Sequence, residues 1–418
     1  MRIRLLAALA LSVLAAQAQA TDGYFSLGYG IQAKAEAGTG IALGRDALTI
    51  ATNPAGLTSA PSSLEIGADL FAPDRGATLV QGGAAADFSG NGTSTFLIPE
   101  FGYNRTLGKR TAFGIAVFGN GGMNTDYDVN PFGRFGATGS AGVDLTQLFI
   151  SPGVAIRLTD SQSVGVALNV VYQRFKAKGV GLFAGFSSAP THVSDEGYDA
   201  SSGLGLRIGW QGRFGRLLRV GATWQPKIHT SNFDSYRGLF ADAGGFDIPE
   251  NFGVGVALQP GERWQVAIDW QRTLYSDVLS VGNPLNSLFT GVPLGADNGP
   301  GFGWRDVSVW KFGGNVRLND RFVLRAGLAT NDQPIPASQT FINILAPGVV
   351  RTHATFGVTW ALDKTHELDF AYMHALKNTV AGSGSIPPAF GGGEANLRLA
   401  EDSLGVAWRR RFRSETAR

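Results

Sequence analysis

The sequence predicts an all-β fold: a transmembrane antiparallel β-barrel of about fourteen strands whose lumen is plugged by a small, partly helical N-terminal hatch. Three observations carry that expectation. Many segments alternate apolar and polar residues with period two. Short polar turns alternate strictly with long irregular stretches, as when tight turns lie on the periplasmic side of an outer membrane and long loops outside it. An export signal is followed by no apolar run long enough for a membrane helix.

The elements follow in chain order. Residues 1–20, MRIRLLAALALSVLAAQAQA, combine Arg2 and Arg4, an apolar run and Ala18-Gln19-Ala20, the pattern of a cleaved secretory signal. With 35 basic and 33 acidic residues in all, loss of Arg2 and Arg4 leaves the mature chain balanced. No basic cluster remains to bind nucleic acid. Cysteine is absent, glycine accounts for 58 of 418 residues, and charged residues for only 16%.

Residues 21–60 do not alternate. GIALGRDALTIA reads as a short helix or two, and Asn53 can cap the next with Pro54 at its first position, where a missing donor costs nothing. The tetrapeptide Asn53-Pro54-Ala55-Gly56 alone reads equally as a turn. So apolar a segment, attached to the periplasmic end of a barrel, has the lumen as its place to fold.

The barrel is expected over 61–412, with strands at 63–72, 96–107, 111–120, 143–158, 162–175, 200–213, 217–229, 248–259, 263–275, 304–318, 321–331, 349–362, 365–378 and 398–412. In RWQVAIDWQRTLY, Trp264, Val266, Ile268 and Trp270 share one face and Gln265, Asp269, Gln271 and Thr273 the other. In LRVGATWQPKIH, Val220, Trp224 and Ile228 oppose Arg219, Lys227 and His229. A sheet spans hydrocarbon only by closing, which leaves an apolar outer face and a lumen free to be polar. Trp210, Trp224, Trp264, Trp304, Trp310, Trp360 and Trp408 fall in or beside strands, as interfacial girdles require. Phe412 supplies a terminal aromatic residue, with 413–418 as a periplasmic tail.

TDGYFSLGYG, AGTGIALGRDALTIATNPAGL and RDVSVWKFGGNVRLNDRFVLRAGLATNDQPIP resemble the FadL and TodX group, outer-membrane transporters of long-chain fatty acids and aromatic hydrocarbons. The resemblance covers nearly the whole mature chain. It implies a barrel closed by an N-terminal hatch, with Asn53, Pro54 and Ala55 matching the hatch motif. It further implies capture of a hydrophobic substrate among extracellular loops, transfer to a site near the mature N-terminus, and sideways exit near an inward kink of the third strand.

The residues allow that kink. TAFGIAVFGNGG carries Gly114, Gly119, Gly121 and Gly122, and the next strand carries Pro152 and Gly153; both residue types belong at bulges or unpaired edges, here a gap between the third and fourth strands. Glycine is also abundant throughout, and Pro152 alone could mark a bulge. For capture, GVGLFAGFSSAP offers Leu182, Phe183 and Phe186, and NPLNSLFTGVPLG offers Leu285, Leu288, Phe289 and Val292. Loops packing on one another over the mouth would use the same residues.

Arg219, Lys227, Arg263, Arg317, Arg321, Arg325 and Arg351 are expected in the lumen, most pairing with Asp269, Glu367 and Asp369. The five histidines have no metal-ligand spacing. His366 and His374 fall on the lipid-facing register without a serine motif, so neither an enzyme nor a metal or other cofactor is expected. The chain reads as a monomeric passive uptake channel in the outer membrane of a Gram-negative bacterium, with a hydrophobic small molecule and membrane lipid as partners. A general diffusion porin or structural barrel is the alternative.

Overall fold

A computed structural model describes residues 22–412; the expected signal peptide and the tail after Phe412 lie outside the described residues. The strands are β1 (Ser63–Gln81), β2 (Ala84–Ser89), β3 (Phe96–Leu107), β4 (Thr111–Tyr127) and β5 (Ala141–Arg157). There follow β6 (Gln162–Lys178), β7 (Asp199–Phe214), β8 (Leu218–Gln225), β9 (Asn251–Leu258) and β10 (Trp264–Thr273). The last are β11 (Val307–Arg317), β12 (Phe322–Asn331), β13 (Thr352–Ala361), β14 (His366–Val380) and β15 (Glu394–Arg411). All pair antiparallel in one sheet, which β1 and β15 close from Ser63↔Arg411 to Val80↔Glu394.

β2 folds back only on the far end of β1, from Gly76↔Ser89 to Gln81↔Ala84, so the closed wall has fourteen strands. This hairpin corrects the irregular reading of 73–95. Gly76, Ala77 and Ala84 to Ala86 carry too little hydropathy contrast for alternation to show.

Period-two projection puts Leu97, Leu204, Val266 and Leu404 on the outer surface, Leu204 being 67% exposed, while Asn104, Asp269, Asp369 and Arg409 are buried inside. An apolar outside around buried charged and polar residues on the inner face of the strands inverts a soluble protein and suits a barrel in lipid. Trp224, Trp264, Trp310 and Trp360 stand exposed on that outer face. Trp304 does not: it precedes β11 in a connection folded into the lumen, is 2% exposed, and donates from Nε1 to Asn343 Oδ1 at 2.5 Å. Alternation also fails after Pro226, which ends β8. Ile228 turns inward and bridges Ile248 instead of facing lipid.

Connections at one end are the short ones expected, 108–110, 158–161, 215–217, 259–263, 318–321 and 362–365. At the other end long segments pack over the mouth with only short helical turns. Asp22 to Ala60 fills the lumen with just two short helices, α1 (Ile31–Ala35) and α2 (Thr49–Thr52), and a 3-10 turn at Pro54–Thr58. Helices this short are unstable alone. They persist because the wall surrounds them: nearly every residue of the segment is buried.

Candidate functional site

The hatch is held by polar contacts on several sides. Lys34 Nζ meets Asp69 Oδ2 of β1 at 2.9 Å, and Lys311 Nζ of β11 meets Asp22 Oδ2 at 3.1 Å and the Leu27 carbonyl at 2.6 Å. Glu36 binds Arg325 of β12 at 2.6 Å, Asn315 of β11 at 2.9 Å, and Arg45 of the hatch itself. Burial alone would push the Glu36 carboxyl up, but Arg45, Arg325 and the Asn315 hydrogen bond hold it below its ordinary range. Asp269 of β10, expected to pair with an arginine, instead accepts from the Gly40 and Ile41 amides at 2.7 and 2.9 Å. Glu367 and Asp369 do take an arginine, but it is Arg409 of β15, with Arg411 joining at Glu367.

Asn53, Pro54 and Ala55 lie against β6, β7 and β8. The Asn53 amide nitrogen sits 2.7 Å from the Ile41 carbonyl, 3.1 Å from that of Trp210 and 3.2 Å from that of Ala222, while its Oδ1 caps the Ala55 amide at 3.1 Å. One side chain thus joins the hatch to itself and to two wall strands. Gly209 makes room, since a Cβ there would lie 1.8 Å from Asn53 Oδ1. Ser163 Oγ donates to the Ala55 carbonyl at 3.2 Å. The sequence signal for this seat, inward glycines on neighbouring strands, was concealed by the glycine content elsewhere.

The wall is interrupted between β3 and β4. Their pairing runs from Leu107↔Thr111 only to Phe101↔Val117; residues 96–100 of β3 pair with β1 alone. Higher up, the Gly92 amide donates to the Asp126 carbonyl and the Asp126 amide to that of Gly90. Between these limits β4 bonds other partners. Ser26 N donates to the Asn120 carbonyl at 3.0 Å, Gly122 N to that of Tyr24 at 2.9 Å, and Arg75 Nε reaches the Asn124 carbonyl at 2.8 Å. The segment from Asp22 onward and one arginine thereby satisfy backbone that a missing neighbour would leave bare. A one-residue shift in the β4–β5 register at Gly119/Gly121 accompanies this, and a Cβ on Gly121 would lie 1.9 Å from the Tyr24 carbonyl.

The break therefore lies between the second and third strands of the wall, not the third and fourth: β4 and β5 pair along their whole length. Gly114 and Gly153 face each other and seat the hatch instead, since Cβ atoms there would press on Leu57 and Ile50. Pro152, which has no amide hydrogen, interrupts the β5–β6 pairing without shifting its register.

Beside the break lies a small apolar cavity. Phe71, Met123, Trp304 and Leu399 form much of its wall, with Arg75 and Glu401 as its charged residues. Gly348, also in the lining, is close to the Gly23 carbonyl, which sets the cavity against the start of the hatch.

The two apolar loops come together over the mouth as a cap. Phe183 has no exposed surface, and its ring centroid lies 5.6 Å from that of Phe132 and 6.3 Å from that of Phe341. Leu285 and Leu288 are buried, Leu182 packs against the cluster, and Phe186 bridges Phe289 and Phe390. Of the six, only Phe289, at 41%, is a large exposed apolar residue. Of the two arrangements the sequence left open, these residues take the packed one and bury one another. Phe132, Phe341 and Phe390 belong to the cluster but lie in separate loops that no local pattern links.

At the opposite mouth a polar vestibule is lined by Arg219, Arg263, Arg317 and Arg321 among others. None of these four forms an ion pair among the described residues. Lys227 lies outside the vestibule and donates to the Asp277 carbonyl. The histidines do not gather: His374 bonds Asp402, His366 bonds Asp363, His229 bonds Asp247, and His353 is buried apart. Among the described residues no group of three His, Cys, Asp or Glu is placed to hold a metal.

A P. putida toluene transporter, TodX, matches this fold with a TM-score of 0.69 at 19% identity, over 93% of this chain and 100% of that one. The Ralstonia pickettii toluene transporter TbuX gives 0.66 at 20% over 93% and 99%, and a Pseudomonas aeruginosa FadL homologue 0.70 at 14% over 94% and 100%. A putative outer membrane protein of Neisseria meningitidis serogroup B is 27% identical over 115 residues, 26% of this chain; the match spans 24% of that relative's length. The family model described as outer membrane protein transport protein (OMPP1/FadL/TodX) matches residues 9–386. With that match added to a closed, hatch-filled barrel, the chain belongs to the OMPP1/FadL/TodX family of outer-membrane transport proteins.

Proposed function

We propose that this protein takes up hydrophobic small molecules passively, with lateral release into the outer membrane. Substrate meets the aromatic cap at Phe289 and Phe186, passes as the loops part, and occupies the cavity beside Tyr24. It leaves through the break between β3 and β4, while the Asn53-Pro54-Ala55 turn keeps the hatch seated. One observation carries this reading: the apolar cavity adjoins the unpaired stretch of β4 through Gly122, Met123 and Asn124, while the path straight down is filled by the charged contacts of the hatch. A hydrophobic molecule loses nothing by moving sideways into lipid and would have to displace buried ion pairs to move down. A diffusion porin would need an aqueous path through the lumen that Asp22–Ala60 occupies.

Gly119 supplies the test. A Cβ at this position would have Ile98 of β3 as its near neighbour, at 3.1 Å, so a large side chain there fills the break from β4. Gly119→Trp should sharply reduce uptake of a hydrophobic probe by whole cells while the folded barrel remains at its usual amount in the membrane. Undiminished uptake by that variant would falsify lateral release at this place.

A further inference from the structure

Glu401 of β15 has no exposed surface, and neither of its carboxyl oxygens has a hydrogen-bond partner in the protein. It lines the cavity beside Tyr24 together with Arg75. The two stand diagonally across the β1–β15 pair, where Pro73 lies opposite Glu401 and Arg75 opposite Leu399. No ion pair joins them, because the Arg75 guanidinium is committed elsewhere. Its Nε donates to the Asn124 carbonyl at 2.8 Å, Nη1 to that of Pro73 at 3.1 Å, and Nη2 to that of Thr93 at 2.7 Å and to Asn124 Oδ1 at 2.5 Å. The Trp304 indole N–H is likewise taken by Asn343. The cavity therefore offers an apolar wall, one acid without a partner, and a guanidinium whose hydrogen bonds go to neutral acceptors.

A buried carboxyl without a partner is unfavourable, and a donor brought by a ligand would relieve it. We infer that the pocket selects neutral hydrophobic molecules carrying a hydroxyl, such as phenols and alcohols, with Glu401 accepting the hydroxyl proton in a hydrogen bond. This rests on the uptake reading above and names its substrate class. The charged alternatives fail on opposite sides. A carboxylate ligand sets a second carboxyl beside Glu401, and two carboxyls so close do not both ionise, so its binding must take up a proton. An ammonium ligand meets the fixed charge of Arg75 in the same small space. A bare hydrocarbon leaves Glu401 unpaired.

Three molecules on one frame test this: p-xylene, p-cresol and p-toluate, titrated calorimetrically into the purified full-length barrel in detergent at neutral pH. The expected order is p-cresol tightest, about tenfold over p-xylene as one hydrogen bond to a buried acid implies. p-Toluate should be weakest and weaken further as pH rises. Glu401→Leu should bring the p-cresol to p-xylene ratio close to one. Glu401→Gln, which keeps an acceptor without a charge, should retain part of the ratio, admit p-toluate and carry the test if the leucine variant does not fold. Equal wild-type affinities for p-cresol and p-xylene, or a ratio that survives Glu401→Leu, overturn the assignment to Glu401 and leave the uptake reading standing. Absence of binding by all three overturns the pocket reading and this inference with it.

Discussion

Above the hatch the lumen is aromatic: Phe132, Phe135, Phe183, Phe341 and Phe390 pack edge to face under the loops, and the cavity below them is walled by Phe71, Met123, Trp304 and Leu399. Beneath the hatch it is polar and predominantly cationic, with Arg219, Arg263, Arg317 and Arg321 around a vestibule. The hatch between them is pinned by buried carboxylates and their partners. A hydrophobic molecule entering from outside meets favourable surface as far as the cavity and unfavourable surface beyond it. The chemical gradient along the barrel axis thus stops where the wall is broken, and it is this coincidence that favours sideways release.

The sharpest way to break the comparison is to remove its divider. A barrel lacking residues 22–60 should pass ions steadily in planar bilayers, where the intact protein should conduct little, because a wall of fourteen strands encloses a wide lumen. A silent deletion variant that is folded by gel mobility would mean that the loops alone close the pore.

Next in size is the cap. Phe341 contacts Phe132, Phe135, Phe183 and Phe390 at centroid distances of 5.4, 5.5, 6.3 and 5.6 Å. Phe341→Ala should weaken the cluster by about 3–5 kcal/mol, the usual loss for a buried phenylalanine. Loops of intact cells carrying the variant should become sensitive to external protease while the pore stays closed to ions. Unchanged protection would show that the cap is held by its hydrogen bonds rather than its rings.

A smaller effect is expected at the ion pairs of the hatch. Arg325→Met leaves Glu36 with Arg45 and Asn315, and should weaken hatch attachment by about 1–3 kcal/mol. The sign with pH follows from the lowered Glu36 value. Its contribution is complete above the ordinary 4.5 and is lost as pH falls through the depressed value of the folded state. Losing Arg325 raises that folded value, so acid should open the variant pore at a higher pH than the wild type. Bilayer conductance recorded over an acid series reads the shift, and coincident curves would assign the anchoring to other contacts.

How much of this was legible depended on whether the signal is local. The wall was, because alternation repeats within each strand and the lipid face has no reason to admit charge: Trp264, Val266 and Ile268 declare their side without help from any other strand. Contacts between distant segments were not. That Asp269 would cap Gly40 and Ile41, or that Glu401 would stand unpaired near Arg75, depends on partners more than two hundred residues away. Gly119, Gly121 and Pro152 marked irregular backbone correctly as a class, yet a glycine records close approach without saying of what. At Gly121 the intruder is the Tyr24 carbonyl; at Gly114 it is Leu57. The break was thus placed on the wrong side of β4, and the sequence could not choose between open and packed loop phenylalanines because their partners lie in other loops.

Asn53 sharpens the comparison at its least costly point. Its amide is the one polar contact that joins the Asn-Pro-Ala turn to Trp210 and Ala222 of the wall and to Ile41 within the hatch at once. Asn53→Ala removes the donor and the cap on Ala55 but leaves Lys34, Glu36 and Asp22 attached, so the loss should be about 1–2 kcal/mol and the barrel should fold in normal amount. Wild-type conductance with altered hydrophobic uptake would mean that the turn positions the hatch without acting as the lock. Raised conductance would make it a lock as well. Gly209→Ala distinguishes the two from the wall side, since its Cβ would displace the Asn53 side-chain oxygen while leaving the sequence of the hatch unchanged. If it reproduces the Asn53→Ala phenotype, the seat and not the side chain alone sets the hatch; if uptake and conductance both stay at wild-type values in the two variants, the motif is a turn and nothing more.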